Sequence, residues 1–219
     1  MLGMGVWVFA FAGLILLIPL IMPYWLWFTF KSFGVTPNII SIKGLIAGWL
    51  GIIALAMGWH EIGFLLLFSG FSLDIADGIF ARRFPLDAAP SGKWVDPLCD
   101  KLKMIPLFCL LSWKGILIWF VVLPLVVIEL YGILSRPPFR RITARLDGGE
   151  TVHIASTDWG KAKHHVQVIA FSCAYVVLAQ LSDAMILWQT VANFLVMASV
   201  ILAVRSIISR MARSASNDA

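Results

Sequence analysis

Residues 74–82 read Asp74-Ile75-Ala76-Asp77-Gly78-Ile79-Phe80-Ala81-Arg82, and after nine further residues the chain continues Gly92-Lys93-Trp94-Val95-Asp96-Pro97-Leu98-Cys99-Asp100. Four carboxylates therefore stand inside or beside two strongly apolar segments. An ionised Asp inside a bilayer costs about 2.5 kcal/mol or more, so acids in such a place imply a function and a partner. The spacings of three (Asp74, Asp77) and four (Asp96, Asp100) put each pair on one face of a helix, one residue above the other. Four carboxylates converging from neighbouring helices repel unless cations stand between them, and magnesium, manganese or calcium prefer oxygen ligands. The stretch predicts two membrane helices that share a metal site.

The rest of the chain agrees with a membrane setting. Of its 219 residues 60% are hydrophobic and only 13% charged, which excludes an ordinary soluble domain and a disordered one. Apolar runs lie near 5–30, 39–58, 62–81, 94–112, 115–135, 164–182 and 186–208. They are too long and unbroken for barrel strands and suit helices of about 20 residues. The expected fold is all-α: a polytopic bundle of six core helices with an additional N-terminal membrane helix. Residues 1–35 form that extra membrane or interfacial helix, 36–213 the six-helix domain and 214–219 a polar tail in this division. No Lys or Arg precedes Lys31, and the first apolar run exceeds the core of a signal peptide, so the segment reads as retained.

Short turns are expected at Gly58–Glu61, Ser112–Gly115 and Ser182-Asp183, and these contain one basic residue, Lys114. With helices alternating in direction, the other sixteen of the seventeen Lys and Arg fall on one side, the cytoplasmic side by the positive-inside rule. The acids share that side. The net charge of +5 then describes a basic face for anionic lipids and phosphates, with no nucleic-acid partner implied. Cys99, Cys109 and Cys173 have neither zinc-site nor disulfide spacing. The expected location is a cell inner membrane, with the site facing the cytoplasm.

Gly78 costs about 1 kcal/mol in a helix relative to Ala, so its missing side chain needs a reason. With Ala81 it leaves a smooth strip beside the acids, and Arg82, two turns beyond Asp74, can fork onto a phosphate. Taken whole, Asp74-x-x-Asp77-Gly78-x-x-Ala81-Arg82, nine residues, Gly92-x-x-x-Asp96-x-x-x-Asp100 resembles the signature of the CDP-alcohol phosphotransferases in every required position. That resemblance implies a six-helix membrane enzyme that displaces CMP from a CDP-linked lipid with an acceptor hydroxyl. It implies that Asp74, Asp77 and Asp96 hold two divalent ions, Mg2+ or Mn2+, and that Asp100 helps bind one and acts as general base. Gly78, Ala81, Arg82 and Gly92 would contact the CDP-lipid. Thr36-Pro37-Asn38-Ile39-Ile40-Ser41 looks like the family's first-helix entry, so Pro37, Asn38, Ile39 and Ile40 would line the cytidine site. A homodimer is implied by the resemblance alone.

The acceptor must be read elsewhere. Ala155-Ser156-Thr157-Asp158-Trp159-Gly160-Lys161-Ala162-Lys163-His164-His165-Val166-Gln167 is similar to the fifth-helix entry of phosphatidylglycerophosphate synthases, with His164 where those enzymes usually carry Thr. Related segments occur in cardiolipin synthases. The favoured substrates are CDP-diacylglycerol and glycerol 3-phosphate, with phosphatidylglycerol, inositol phosphate or serine as alternative acceptors. An acceptor phosphate needs cations, and Lys161 and Lys163 at a helix N-terminus, with Arg140, Arg141 and Arg205, are the candidates. Glu129 stands in an apolar helix without a local cation, so it is expected to pair with a basic residue of another helix or to hydrogen-bond an acceptor hydroxyl. An ion transporter is the rival from another class, disfavoured because Arg82, Lys93, Lys101 and Lys103 crowd the acids.

Overall fold

The computed structural model describes residues 37–83, 92–134 and 158–217, together with positions 7, 10–15, 17 and 32. Within the described residues the chain is helical, with no strand. Six helices follow in order: α1 (Pro37–Ala56), α2 (His60–Arg83), α3 (Gly92–Trp113), α4 (Trp119–Leu134), α5 (Asp158–Leu178) and α6 (Met185–Asn217). Positions 7, 10–15 and 17 are helical too, but the expected N-terminal helix lies largely outside the described residues. The chain divides into two compact units, Met1–Leu110 and Leu111–Ala219.

In the first unit α1 and α2 are joined by a turn only a few residues long, and backbone chemistry explains its tightness. Gly58 has φ 86°, its N–H donates to Leu55 O (3.2 Å), and Trp59 N–H donates to Ala54 O (2.9 Å). These are the paired bonds of a Schellman cap, which needs a left-handed residue after the helix. The two helices then approach backbone to backbone. A Cβ on Gly51 would stand 2.8 Å from Gly63 O, and one on Gly70 would stand 2.8 Å from Gly44 O. Between membrane helices no hydrophobic gain favours contact, so small residues that admit close packing supply it. Phe64, Leu67 and Phe71 of α2 and Met104 and Leu107 of α3 fill the interior. Phe64, Phe68 and Phe71 contact in series, with ring centroids 4.4 Å and then 5.8 Å apart. Ser72 Oγ donates to Ile15 O (2.7 Å), which ties α2 to the N-terminal segment.

In the second unit α6 packs on α5 and on α4. Ala170, Phe171, Ala174 and Tyr175 of α5 and Ala192 and Val196 of α6 are fully buried. The turn between α3 and α4 repeats the first cap, with Gly115 at φ 75° and Ile116 N–H donating to Leu111 O (2.9 Å). One buried side chain of α6 latches that turn. Asn193 Oδ1 accepts from Ile118 N–H (2.9 Å), and its Nδ2 donates to Ile116 O (3.3 Å) and Gln189 O (2.8 Å).

The outward faces are apolar. On α1 Ile42, Ile46, Trp49, Leu50 and Ile53 are exposed, and on α4 Phe120, Leu123 and Val127. Ile39–Ala56 and Met185–Ser209 are long and apolar enough to cross a bilayer, and Trp119–Leu134 is a shorter apolar helix. This is the surface of a helical membrane protein.

Candidate functional site

The acids of the signature lie on consecutive helices of the sequence, Asp74 and Asp77 on α2 and Asp96 and Asp100 on α3. Asp74 and Asp100, both partly buried, each offer a carboxylate oxygen, and these oxygens lie within 4.8 Å of one another. Two hard anionic donors at that separation fit a divalent cation. Asp77 stands one helical turn beyond Asp74 and Asp96 one turn before Asp100, and their side chains lie outside the described residues. The same holds for Gly78, Ala81, Arg82 and Gly92, which have helical backbone on α2 and α3.

Lys103 was the residue that sequence reading missed. Counted there among the basic residues of the rim, it is fully buried on α3, and its ammonium donates to Asp74 Oδ2. The nitrogen also lies 5.2 Å from the Phe71 ring centroid, within cation–π range. Its aliphatic stem runs along Gly48 of α1, where a Cβ would come 2.5 Å from Cδ and 2.6 Å from Cγ. Gly44, one turn earlier, does the same for the acid, since a Cβ there would stand 3.1 Å from Asp74 Oδ1. The signal was present in two spacings. Lys103 follows Asp100 by three residues on one helix face, and Gly44-x-x-x-Gly48 marks a face without side chains.

The first-helix entry is described in part. Pro37 opens α1 at a position whose missing N–H costs nothing, while the side chains of Pro37 and Asn38 lie outside the described residues. Ile39 is exposed and Ile40 is 1% exposed, so Ile40 is a core residue of the first unit.

The acceptor candidates of the second unit divide sharply. Glu129 on α4 and Lys163 on α5 form an ion pair of 2.5 Å, with side chains 4% and 8% exposed. Gln167, one turn beyond Lys163, donates from Nε2 to the same carboxylate oxygen (2.9 Å). Of the two roles expected for Glu129, pairing with a cation of another helix is the one observed. The Arg205 guanidinium stacks 5.1 Å over Trp159, which joins α6 to the start of α5. Lys161 has helical backbone with a side chain outside the described residues, and Arg140 and Arg141 lie wholly outside them.

Comparison with known proteins agrees with the signature. The family model for CDP-alcohol phosphatidyltransferases matches residues 34–205. Among curated proteins, a probable cardiolipin synthase (CMP-forming) from Drosophila melanogaster is 34% identical over 83 residues, 37% of this chain and 25% of that protein. The matched stretch thus spans a quarter of the relative's length. No solved structure matches the chain. With the model covering most of its residues, the chain belongs to the CDP-alcohol phosphatidyltransferase family.

Proposed function

We propose that this member of the CDP-alcohol phosphatidyltransferase family transfers the phosphatidyl group of CDP-diacylglycerol to a glycerol-type alcohol, with glycerol 3-phosphate as the favoured acceptor. The observation that carries the reading is the approach of Asp74 and Asp100, from the two halves of the signature, to within 4.8 Å. Asp74, Asp77, Asp96 and Asp100 are the ligands of two divalent ions, Mg2+ or Mn2+. These carboxylates would hold the ions, which when bound would supply positive charge against the pyrophosphate of the CDP-lipid.

The remaining roles belong to the chain. Asp100 accepts the proton of the acceptor hydroxyl, whose oxygen bonds to the lipid-bearing phosphorus as the bond to the bridging oxygen breaks and CMP leaves. Gly78 and Ala81 give the nucleotide room, Arg82 forks onto a phosphate, and Pro37, Asn38 and Ile39 at the start of α1, with Gly92, complete the CDP-lipid site, with Ile40 packed in the core behind them. Lys161, Arg140, Arg141 and Arg205 supply charge for an acceptor phosphate. Lys163 contributes through the pair it makes with Glu129. The six-helix domain is residues 36–213 of a protein of the inner membrane, and the basic residues that share a side with the acids support a site facing the cytoplasm.

Phosphatidylglycerol is the second reading, favoured by the similarity to a probable cardiolipin synthase. An acceptor panel separates the two. Purified protein with CDP-diacylglycerol and Mn2+ is expected to release CMP with glycerol 3-phosphate, whereas release only with phosphatidylglycerol moves the assignment to the second reading. Folded protein that binds the lipid but releases no CMP with any alcohol of the panel would remove the enzymatic reading.

A further inference from the structure

We propose that Lys103 is a positioning residue of the acidic site, an internal counter-cation that holds Asp74 and competes with divalent ions for it. The inference rests on the reading of the four Asp as metal ligands. A lysine in a membrane helix ordinarily snorkels to the headgroups, but Lys103 is 0% exposed and its stem does not leave the helix interface. It occupies a built channel. Gly48 of α1 is bare where Cγ and Cδ pass, the Phe71 ring of α2 faces the nitrogen at 5.2 Å, and the ammonium ends on Asp74 Oδ2. Asp74 Oδ1 in turn faces the bare Cα of Gly44.

Three helices therefore contribute to placing one ammonium on one carboxylate. A buried charge persists only when paired, and a carboxylate cluster in low dielectric is equally dependent on cations. Lys103 satisfies both needs from within the chain, so the acids can stand together before any metal arrives. The same charge has a second effect. A divalent ion taken up by Asp74 must share the carboxylate with a neighbouring positive charge, and Coulomb repulsion at a few ångströms weakens its binding. Lys103 thus exchanges some metal affinity for an acidic site that is stable when empty.

The test uses the full chain in detergent, with Mn2+ binding followed by the loss of the free-ion electron paramagnetic resonance signal. Lys103→Met is expected to tighten Mn2+ binding about tenfold, or ~1.4 kcal/mol. It is also expected to lower the thermal midpoint in EDTA, with the gap to wild type closing at saturating Mn2+. Gly48→Ala, which pushes the stem aside without removing the charge, should shift both readings the same way, and it serves where Lys103→Met fails to fold without metal. Lys114→Met, in an exposed turn, should shift neither. Unchanged or weaker Mn2+ binding in both site variants would overturn the proposal while leaving the metal site standing. Absence of Mn2+ binding to the wild-type protein would remove the metal reading and the proposal with it.

Discussion

Removing Glu129 should destabilise the protein more than removing Lys163, and removing both should cost less than either. The pair is 2.5 Å long with side chains 4% and 8% exposed, so at an effective dielectric near 20 its gross attraction is ~6–7 kcal/mol. Desolvation cancels much of that, and breaking a buried pair typically costs about 3–5 kcal/mol because the survivor is left charged and alone. The two single changes are not equivalent here. Glu129→Leu removes the acceptor shared by the Lys163 ammonium and the Gln167 amide, which donate to the same oxygen at 2.5 and 2.9 Å. Lys163→Met leaves the donation from Gln167 to that carboxylate in place. We expect about 4–5 kcal/mol for the first and about 3 kcal/mol for the second. The double change to Leu and Met replaces the pair by apolar groups of similar size and should come within about 1 kcal/mol of wild type. Denaturant unfolding in mixed micelles, run as a double-mutant cycle, measures the coupling directly. Additive effects, or single changes costing under about 1 kcal/mol, would show that the two side chains do not depend on one another.

Asp100→Asn removes the proposed proton acceptor while keeping an oxygen that can ligate, so turnover should fall about 10²–10⁴-fold with Mn2+ binding still measurable; near-normal CMP release would take Asp100 out of that role. Gly70→Ala would place a Cβ 2.8 Å from Gly44 O and should cost about 1–3 kcal/mol. Gly132→Ala, with nothing within 4 Å of the new Cβ, should be neutral or stabilise by up to about 1 kcal/mol in the same unfolding assay. Asn193→Leu withdraws a buried amide from the α3–α4 turn, where it meets Ile118 N–H, Ile116 O and Gln189 O. A loss of about 2–3 kcal/mol is expected, with earlier amide exchange at Ile118 as its local signature.

Much of the helical arrangement could be read from one sequence because it depends on local properties. Apolar runs, Gly58 and Gly115 give the turns where the caps are found, and the spacing of the acids announces one face on each of two helices. Long helices extend beyond the apolar runs, as α5 does from Asp158 and α6 to Asn217, since polar ends outside the bilayer can remain helical. Contacts across helices were less legible. Gly44, Gly48 and Gly51 read individually as weak helix residues, and only the neighbour they meet shows that they admit Asp74, Lys103 and α2. Lys103 carries the same charge as the rim lysines, and the bare Gly48 that admits its stem lies fifty-five positions upstream in the chain. Glu129 declared that it needed a partner, but which cation of another helix would answer was settled by the packing of α4 and α5.

The central claim is that the acids of α2 and α3 form a metal site at which a phosphatidyl group changes partners. The most direct measurement follows CMP and the phosphatidyl product together, with CDP-diacylglycerol and the active alcohol, while Mn2+ is titrated from EDTA to saturation. The account predicts equal amounts of both products, formed only with metal and alcohol present, and lost in Asp74→Asn. Equal rates in EDTA, or CMP formed without alcohol and unaffected by Asp74→Asn, would contradict it.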